Sequence, residues 1–182
     1  VEQESIDEVI DSSKIHNIIS SNLDLFKNYA LKTGDTYANE MVLNFINNKK
    51  LNFPINKHIE IFILKNQKDI NKVIKYIVFR YKFHLAGREK INFGYPPYLL
   101  IEPVSTCNLR CPFCFQTDKS FTKKPFMGVI DFEFFKNIVD QADEMGTGAV
   151  NLASRGEPTM HKKYPQMLEY LNKKNNIFEI KT

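Results

Sequence analysis

Apolar residues in the first half of the chain recur every three or four positions, which is the period of an amphipathic helix. One run follows Ser12-Ser13, a second follows Gly34-Asp35, where Asp35 can cap a helix, and a third ends before Gly87. The apolar positions of these runs are Ile15, Ile18, Ile19, Leu23 and Phe26; Met41, Val42, Phe45 and Ile46; and Ile70, Val73, Ile74, Ile77, Val78 and Tyr81. The spacing predicts three helices of a small bundle.

Residues 59–64 fit two structures, because Ile59, Ile61 and Ile63 alternate as in a strand but also suit the start of a longer helix. We favour the helix. Pro96-Pro97 then excludes a helix and indicates a stiff, extended segment. The pattern therefore predicts a helical domain over residues 1–95 and a second domain over residues 96–182.

The second domain alternates between short apolar runs and amphipathic segments. Residues 98–101, 149–153 and 177–180 are predicted strands. A helix capped by Asp131 should carry the apolar stripe Phe134, Phe135, Ile138, Val139, Ala142 and Met145, and a second helix should span residues 164–174. Strands that alternate with helices in this way predict right-handed parallel β/α units, and hence an α/β fold.

Composition and charge remove several classes of function. The net charge is only +4, and no basic stripe is interleaved with aromatic residues, so we expect no nucleic-acid partner. No apolar stretch approaches the ~20 residues of a membrane-spanning helix, and the first residues are acidic, unlike a secretory leader. We therefore expect a cytoplasmic protein that does not bind membranes.

The chain's three cysteines, Cys107, Cys111 and Cys114, lie within eight residues. An odd number at such tight spacing makes a poor disulfide framework, so metal ligation is the better explanation. Three thiolates suit an iron-sulfur cluster with one iron left without a protein ligand. They also suit zinc if His161, which we otherwise expect at the surface, supplies a fourth ligand. The spacing leaves both metals open, and inert buried thiols as a third alternative.

Residues 102–114, with the sequence EPVSTCNLRCPFC, resemble the first strand and cluster loop of radical S-adenosylmethionine (radical SAM) enzymes, including the aromatic residue before the third cysteine. The resemblance implies that Cys107, Cys111 and Cys114 ligate a 4Fe-4S cluster, that S-adenosylmethionine chelates its open iron, and that Phe113 lies near the adenine. It also implies reductive cleavage of S-adenosylmethionine to a 5'-deoxyadenosyl radical, which abstracts hydrogen from a substrate.

A second motif follows the predicted second strand. Gly156, Glu157 and Pro158 resemble the last three residues of the family's GGEP motif, whose backbone holds the methionine amino group of S-adenosylmethionine. Arg155 stands where the family has its first glycine. Both motifs follow parallel strands, and the carboxyl ends of such strands carry the ligand sites of β/α folds. The resemblance thus predicts one shared site and assigns no catalytic side chain beyond it.

The resemblance also sets what the chain would need in order to act. Radical SAM cores have about six β/α units, whereas residues 98–182 leave room for about three parallel strands, the first half of a partial (β/α) barrel behind an all-α domain. We therefore expect an enzyme whose catalysis needs more than this chain, with an unidentified small-molecule or peptide substrate and an electron donor such as flavodoxin or ferredoxin. The alternative is a non-enzymatic zinc-binding or protein-interaction module.

Overall fold

A computed structural model describes residues 12–182 of the chain. The chain divides into two compact units, Val1–Arg88 and Glu89–Thr182. The division between the units falls after Arg88, before Pro96-Pro97 in the chain. The domain boundary near residue 95 stays a prediction. In residues 12–182, no helix has the length and apolar character that crossing a membrane requires.

The described part of the first unit contains five α-helices. They are α1 (Ser12–Ser21), α2 (Leu23–Thr33), α3 (Thr36–Asn48), α4 (Lys57–Asn66) and α5 (Ile70–Arg88). Their apolar faces form a common core that includes Ile19, Phe26, Met41, Phe45, Ile63, Val73, Ile77 and Tyr81. The helical character of this region is as predicted. The residues chosen as a single helix from Ile15 to Phe26 are divided between two helices.

Asn22 causes the break between α1 and α2. Its side-chain amide donates a hydrogen bond to the carbonyl oxygen of Ile18 at 2.8 Å, which ends the first helix. Its own carbonyl oxygen accepts from the backbone N–H groups of Leu25 and Phe26 at 2.9 and 3.2 Å, which starts the second. Asparagine often competes with the helix for backbone partners in this way. The apolar period continues through the break, so periodicity alone did not reveal it.

Three local predictions for the first unit can be compared with the structure. Asp35 caps α3, because its carboxylate accepts from the N–H groups of Tyr37 and Ala38 at 3.1 Å each. Residues 59–64 are helical and lie within α4. Helix α5 continues through Gly87 and ends at Arg88, one residue beyond the predicted stop. The cap and the helical assignment are confirmed.

The described part of the second unit is a three-stranded parallel sheet with two α-helices. The elements are β1 (Tyr98–Leu100), α6 (Phe132–Met145), β2 (Ala149–Asn151), α7 (Tyr164–Asn172) and β3 (Glu179–Lys181). The spatial order is β1-β2-β3, and Tyr98 is aligned with Ala149, which is aligned with Glu179. The α/β fold with parallel β/α units, consistent with part of a radical SAM barrel after a helical region, is therefore confirmed.

The core of the second unit lies between the sheet and its helices, and comprises Ile101, Phe135, Val139, Val150, Leu152, Met167, Leu171 and Ile177. Helix α6 begins at the predicted cap, since Asp131 accepts from the N–H groups of Glu133 and Phe134 at 2.9 and 3.0 Å. The predicted apolar stripe was too wide. Phe134 and Met145 are 57% and 54% exposed, because they lie at the sides of the buried face of α6.

Candidate functional site

The cysteine loop is closed at its base by a short antiparallel contact. Val104 and Val129 form an isolated β-bridge. The backbone N–H of Ser105 donates to the carbonyl of Gly128 at 3.0 Å, and the Ser105 hydroxyl accepts from the N–H of Gly128 at 2.7 Å. Ser105 is only 1% exposed. The chain that leaves β1 is therefore held against the chain that leads into α6, and residues 106–127 form a loop with a fixed base.

Cys107, Cys111 and Cys114 are all half-buried and line one cavity of about 520 Å³. A tight turn brings the second and third cysteines together, because the N–H of Cys114 donates to the carbonyl of Cys111 at 3.0 Å. The N–H of Leu109 donates to the Cys107 sulfur at 3.4 Å. The other lining residues are Ser105, Thr106, Leu109, Arg110, Gln116, Thr117, Lys119, Thr122 and Met127.

A cubane cluster and a single zinc ion place different demands on these three thiols. A cubane takes its thiolates on separate iron atoms, whereas a zinc ion needs its ligands within about 2.0–2.3 Å of one point. Within residues 12–182, no group of three His, Cys, Asp or Glu side chains is arranged to hold one metal ion. Three thiols that lie on one loop and line one cavity fit the requirement of a cubane, whose thiolates bind separate iron atoms.

The Gly-Glu-Pro segment is bonded to the start of this loop. The backbone N–H of Glu157 donates to the carbonyl of Thr106 at 2.9 Å, and the N–H of Gly156 donates to the side-chain oxygen of Gln116 at 3.0 Å. Gly156 has φ +78°, and a Cβ built on it would lie 1.9 Å from the carbonyl oxygen of Val104. The two motifs thus come together at the carboxyl ends of β1 and β2, where the close approach requires glycine.

Glu157 and Pro158 shape the turn after β2. The Glu157 carboxylate accepts from the backbone N–H and the hydroxyl of Thr159 at 3.2 and 2.7 Å, and so caps a short 3-10 turn, Pro158–Met160. Pro158 is buried at the start of that turn. The Glu157 side chain therefore stabilises the local backbone of the turn.

Arg155, the residue that departs from the family motif, forms an ion pair with Glu102. Its Nε lies 3.1 Å from both carboxylate oxygens, and its second guanidinium nitrogen lies 2.9 Å from Oε1. The two side chains are 23% and 26% exposed. The described non-glycine residues with positive φ are Lys49 and Lys90, so Arg155 has an ordinary backbone conformation. The substitution therefore adds a second link between the ends of the two strands.

Phe113 and His161 differ sharply in exposure, and only His161 departs from its expected surroundings. Phe113 is 91% exposed, so its ring lies in solvent and not in the cavity, and its role beside an adenine stays a prediction. His161 is 6% exposed, and the expectation of a surface histidine was wrong. Its Nδ1 accepts from the N–H of Lys163 at 3.1 Å, which leaves Nε2 to donate to the carbonyl of Ile130 at 3.0 Å. Both ring nitrogens are thus engaged away from the cysteines.

Sequence reasoning missed two residues that organise the loop, Ser105 and Gln116. Both are polar residues beside the cysteines, and no pattern in the sequence distinguishes them from the exposed polar residues around them. Asp118 caps the next 3-10 turn, Lys119–Thr122, and the backbone hydrogen bond from Ser120 holds the pKa of its carboxyl below the usual range. These contacts order the polypeptide on the far side of the third cysteine.

Comparisons with known proteins found one family and one relative that are similar to part of the chain. The chain is 30% identical over 86 residues to the tungsten-containing aldehyde ferredoxin oxidoreductase cofactor-modifying protein of Pyrococcus furiosus. That alignment covers 47% of this chain and 23% of the relative, so the chain matches about a quarter of the relative's length. No solved structure matches the chain. Residues 101–182, which contain the cysteine loop and the Gly-Glu-Pro segment, match the radical SAM superfamily.

Proposed function

We propose that Cys107, Cys111 and Cys114 ligate a 4Fe-4S cluster, and that residues 101–182 form the cofactor-binding part of a radical SAM enzyme. The observation that carries the proposal is the arrangement of the two motifs. All three thiols line one cavity, and the Gly156-Glu157 backbone is bonded to the loop that bears them. This arrangement supports the shared site that the resemblance predicts.

The residues of the chain have distinct parts in this function. The Ser105–Gly128 contact fixes the base of the loop, so that the thiolates are held on a defined segment and not on a free chain. The Gly156-Glu157 backbone, at the end of β2, supplies polar groups for the methionine end of S-adenosylmethionine. When bound, the cluster supplies the electron that cleaves the sulfonium of S-adenosylmethionine and releases a 5'-deoxyadenosyl radical for hydrogen abstraction from substrate.

The relative's printed name describes a protein that modifies the cofactor of a tungsten-containing aldehyde ferredoxin oxidoreductase. The aligned 86 residues are similar in length to the region that matches the superfamily, which runs from 101 to 182. Because the alignment covers only 23% of the relative, we take the class of reaction from this similarity and not the substrate. A small molecule or peptide as substrate and a reduced electron-carrier protein as donor complete the proposal for the whole protein.

The test is anaerobic reconstitution of the whole protein with iron and sulfide. We expect bound iron and sulfide in equal amounts, a visible charge-transfer band, and 5'-deoxyadenosine when S-adenosylmethionine and a reductant are added. Cys107→Ser, Cys111→Ser and Cys114→Ser should each lose the band. Asn108→Ser, at an exposed position of the same loop, is the matched control and should retain it. Wild-type protein that takes up no cluster would overturn the proposal.

Metal analysis separates this function from the zinc or interaction module. Zinc at one equivalent, retained in air, would support the module. His161 is the fourth ligand that such a site would recruit, yet its ring nitrogens bond to Ile130 and Lys163. We therefore expect His161→Ala to leave the iron content per folded chain unchanged, while lowering stability by roughly 1–3 kcal/mol through the unpaired Ile130 carbonyl.

A further inference from the structure

Gln116 is half-buried in a segment whose other residues are mostly exposed. Its side-chain Nε2 donates to the carbonyl of Ser105 at 2.8 Å, and its Oε1 accepts from the backbone N–H of Gly156 at 3.0 Å. One carboxamide thus joins the base of the cysteine loop to the Gly-Glu-Pro motif. We propose that Gln116 is a positioning residue that holds the cysteine loop and the Gly-Glu-Pro backbone in register for S-adenosylmethionine, an inference that rests on the proposed function.

Gln116 is closely tied to the third cysteine. It lies in the 3-10 turn Phe115–Thr117, directly after Cys114, and the N–H of Thr117 donates to the carbonyl of Cys114 at 3.0 Å. Gln116 also lines the same cavity as the three cysteines. A contact that fixes Gln116 relative to Gly156 therefore fixes Cys114 relative to Gly156 as well.

The chemistry of the bridge requires a glutamine. The donor must face the Ser105 carbonyl and the acceptor must face the Gly156 N–H, so the orientation of the amide is set by its two partners. Glutamate supplies the acceptor but no donor. Methionine has a similar length and supplies neither, and asparagine is one methylene shorter. Variants at this position can therefore remove the hydrogen bond to Ser105 alone or both hydrogen bonds together.

Loss of the bridge should leave the unit folded. The backbone hydrogen bond from Glu157 to Thr106 and the Ser105–Gly128 contact do not involve the Gln116 side chain. Without Gln116, the Gly156 N–H would lose its partner while the cysteines remain on a loop with a closed base. The expected result is a protein that still takes up its cluster but binds S-adenosylmethionine less tightly.

The experiment compares Gln116→Met and Gln116→Glu with Gln141→Met in the whole protein. Gln141 is an exposed glutamine on α6 whose side-chain amide donates to Asn137, so it serves as the matched control. Hydrogen exchange of the Gly156 amide, measured without cluster, reports the bridge directly. We expect roughly tenfold faster exchange in Gln116→Met, near wild-type exchange in Gln116→Glu, and no change in Gln141→Met.

After reconstitution, iron content and S-adenosylmethionine affinity distinguish a positioning role from a structural one. Gln116→Met should bind wild-type amounts of iron, and its dissociation constant for S-adenosylmethionine should rise roughly tenfold. The change that S-adenosylmethionine causes in the electron paramagnetic resonance spectrum of the reduced cluster should shrink accordingly.

Two results would overturn the inference. Wild-type exchange and affinity in Gln116→Met would show that the bridge does not act. Parallel loss of iron, affinity and thermal stability in both Gln116 variants would show a structural role only. Wild-type protein without a cluster would instead overturn the proposed function, and the exchange comparison would then show whether the bridge itself exists.

Discussion

The backbone of Gly156 lies directly against the carbonyl group of Val104, so closely that a Cβ at Gly156 would stand 1.9 Å from the Val104 oxygen. The obstructing atoms belong to the backbone, which cannot rotate away as a flexible side chain can. Gly156 also has φ +78°, in the left-handed region that favours glycine. Val104 lies at the base of the cysteine loop, so this contact joins the two motifs of the site.

Replacing Gly156 by alanine should therefore destabilise the second unit severely. The left-handed backbone alone costs a residue with a Cβ about 1–2 kcal/mol, and displacement of the Val104 carbonyl adds to that cost. We expect a loss of about 2 kcal/mol or more in the free energy of unfolding, measured by urea titration. In the described structure no atom lies within 4 Å of a Cβ built on Gly128, so Gly128→Ala is the matched control and should cost little. Equal effects of the two variants would contradict the contact.

The ion pair between Glu102 and Arg155 should contribute measurably to stability. Its geometry is bidentate and both side chains are largely screened from solvent, whereas Glu169 and Lys173 form a solvent-exposed pair on one helix. A double-mutant cycle with Glu102→Gln and Arg155→Met should give a coupling energy of roughly 1 kcal/mol. The same cycle with Glu169→Gln and Lys173→Met should give less than half of that. A coupling energy near zero for Glu102 and Arg155 would show that the pair does not hold the strand ends together.

Phe113 offers a test that separates ligand binding from folding. Its side chain is 91% exposed, so Phe113→Ala should change the free energy of unfolding by less than about 0.5 kcal/mol. If the ring stacks on the adenine, its loss should weaken S-adenosylmethionine binding roughly tenfold, since aromatic stacking on a base is worth about 1–3 kcal/mol. Phe134→Ala, at an exposed position on α6, is the control for affinity. An unchanged affinity of Phe113→Ala for S-adenosylmethionine would show that Phe113 does not contribute to its binding.

Stability should depend on pH through the cap of α6. The backbone hydrogen bond from Phe134 is the main cause that holds the pKa of the Asp131 carboxyl below its usual range. A lowered pKa means that the charged cap stabilises the fold above the unfolded value of about 3.9, and that this contribution is lost as pH falls through the lower folded value. Asp131→Asn keeps the acceptor without the charge. The difference in melting temperature between wild type and Asp131→Asn should therefore be constant near neutral pH and shrink below about pH 4. A difference that does not change in acid would contradict this assignment.

The sequence predicted features that depend on neighbouring residues. Asp35 and Asp131 were identified as helix caps because capping needs only a carboxylate and the next few N–H groups. The parallel β/α order followed from alternating apolar patterns, and the cysteine loop was evident from spacing. Errors arose where the local pattern was ambiguous. The apolar period runs unbroken across Asn22, although the helix does not.

The contacts that assemble the site join residues far apart in the chain. Gln116 and Gly156 are 40 positions apart, and Glu102 and Arg155 are 53 apart. Nothing in the neighbourhood of either residue identifies its partner. The same holds for His161, which is buried and whose ring bonds to Ile130, 31 positions away. These pairings depend on how the first two strands align.

The sequence by itself determined the helical first unit, the parallel β/α second unit, and the two motifs by which residues 101–182 resemble radical SAM enzymes, because each depends on short-range patterns. The tertiary structure decided that the motifs touch, that glycine is required at 156 by the Val104 carbonyl, and that Arg155 pairs with Glu102. The physical reason is that parallel pairing of β1 with β2 brings their carboxyl ends to one edge, where backbone atoms from distant segments meet at hydrogen-bonding distance.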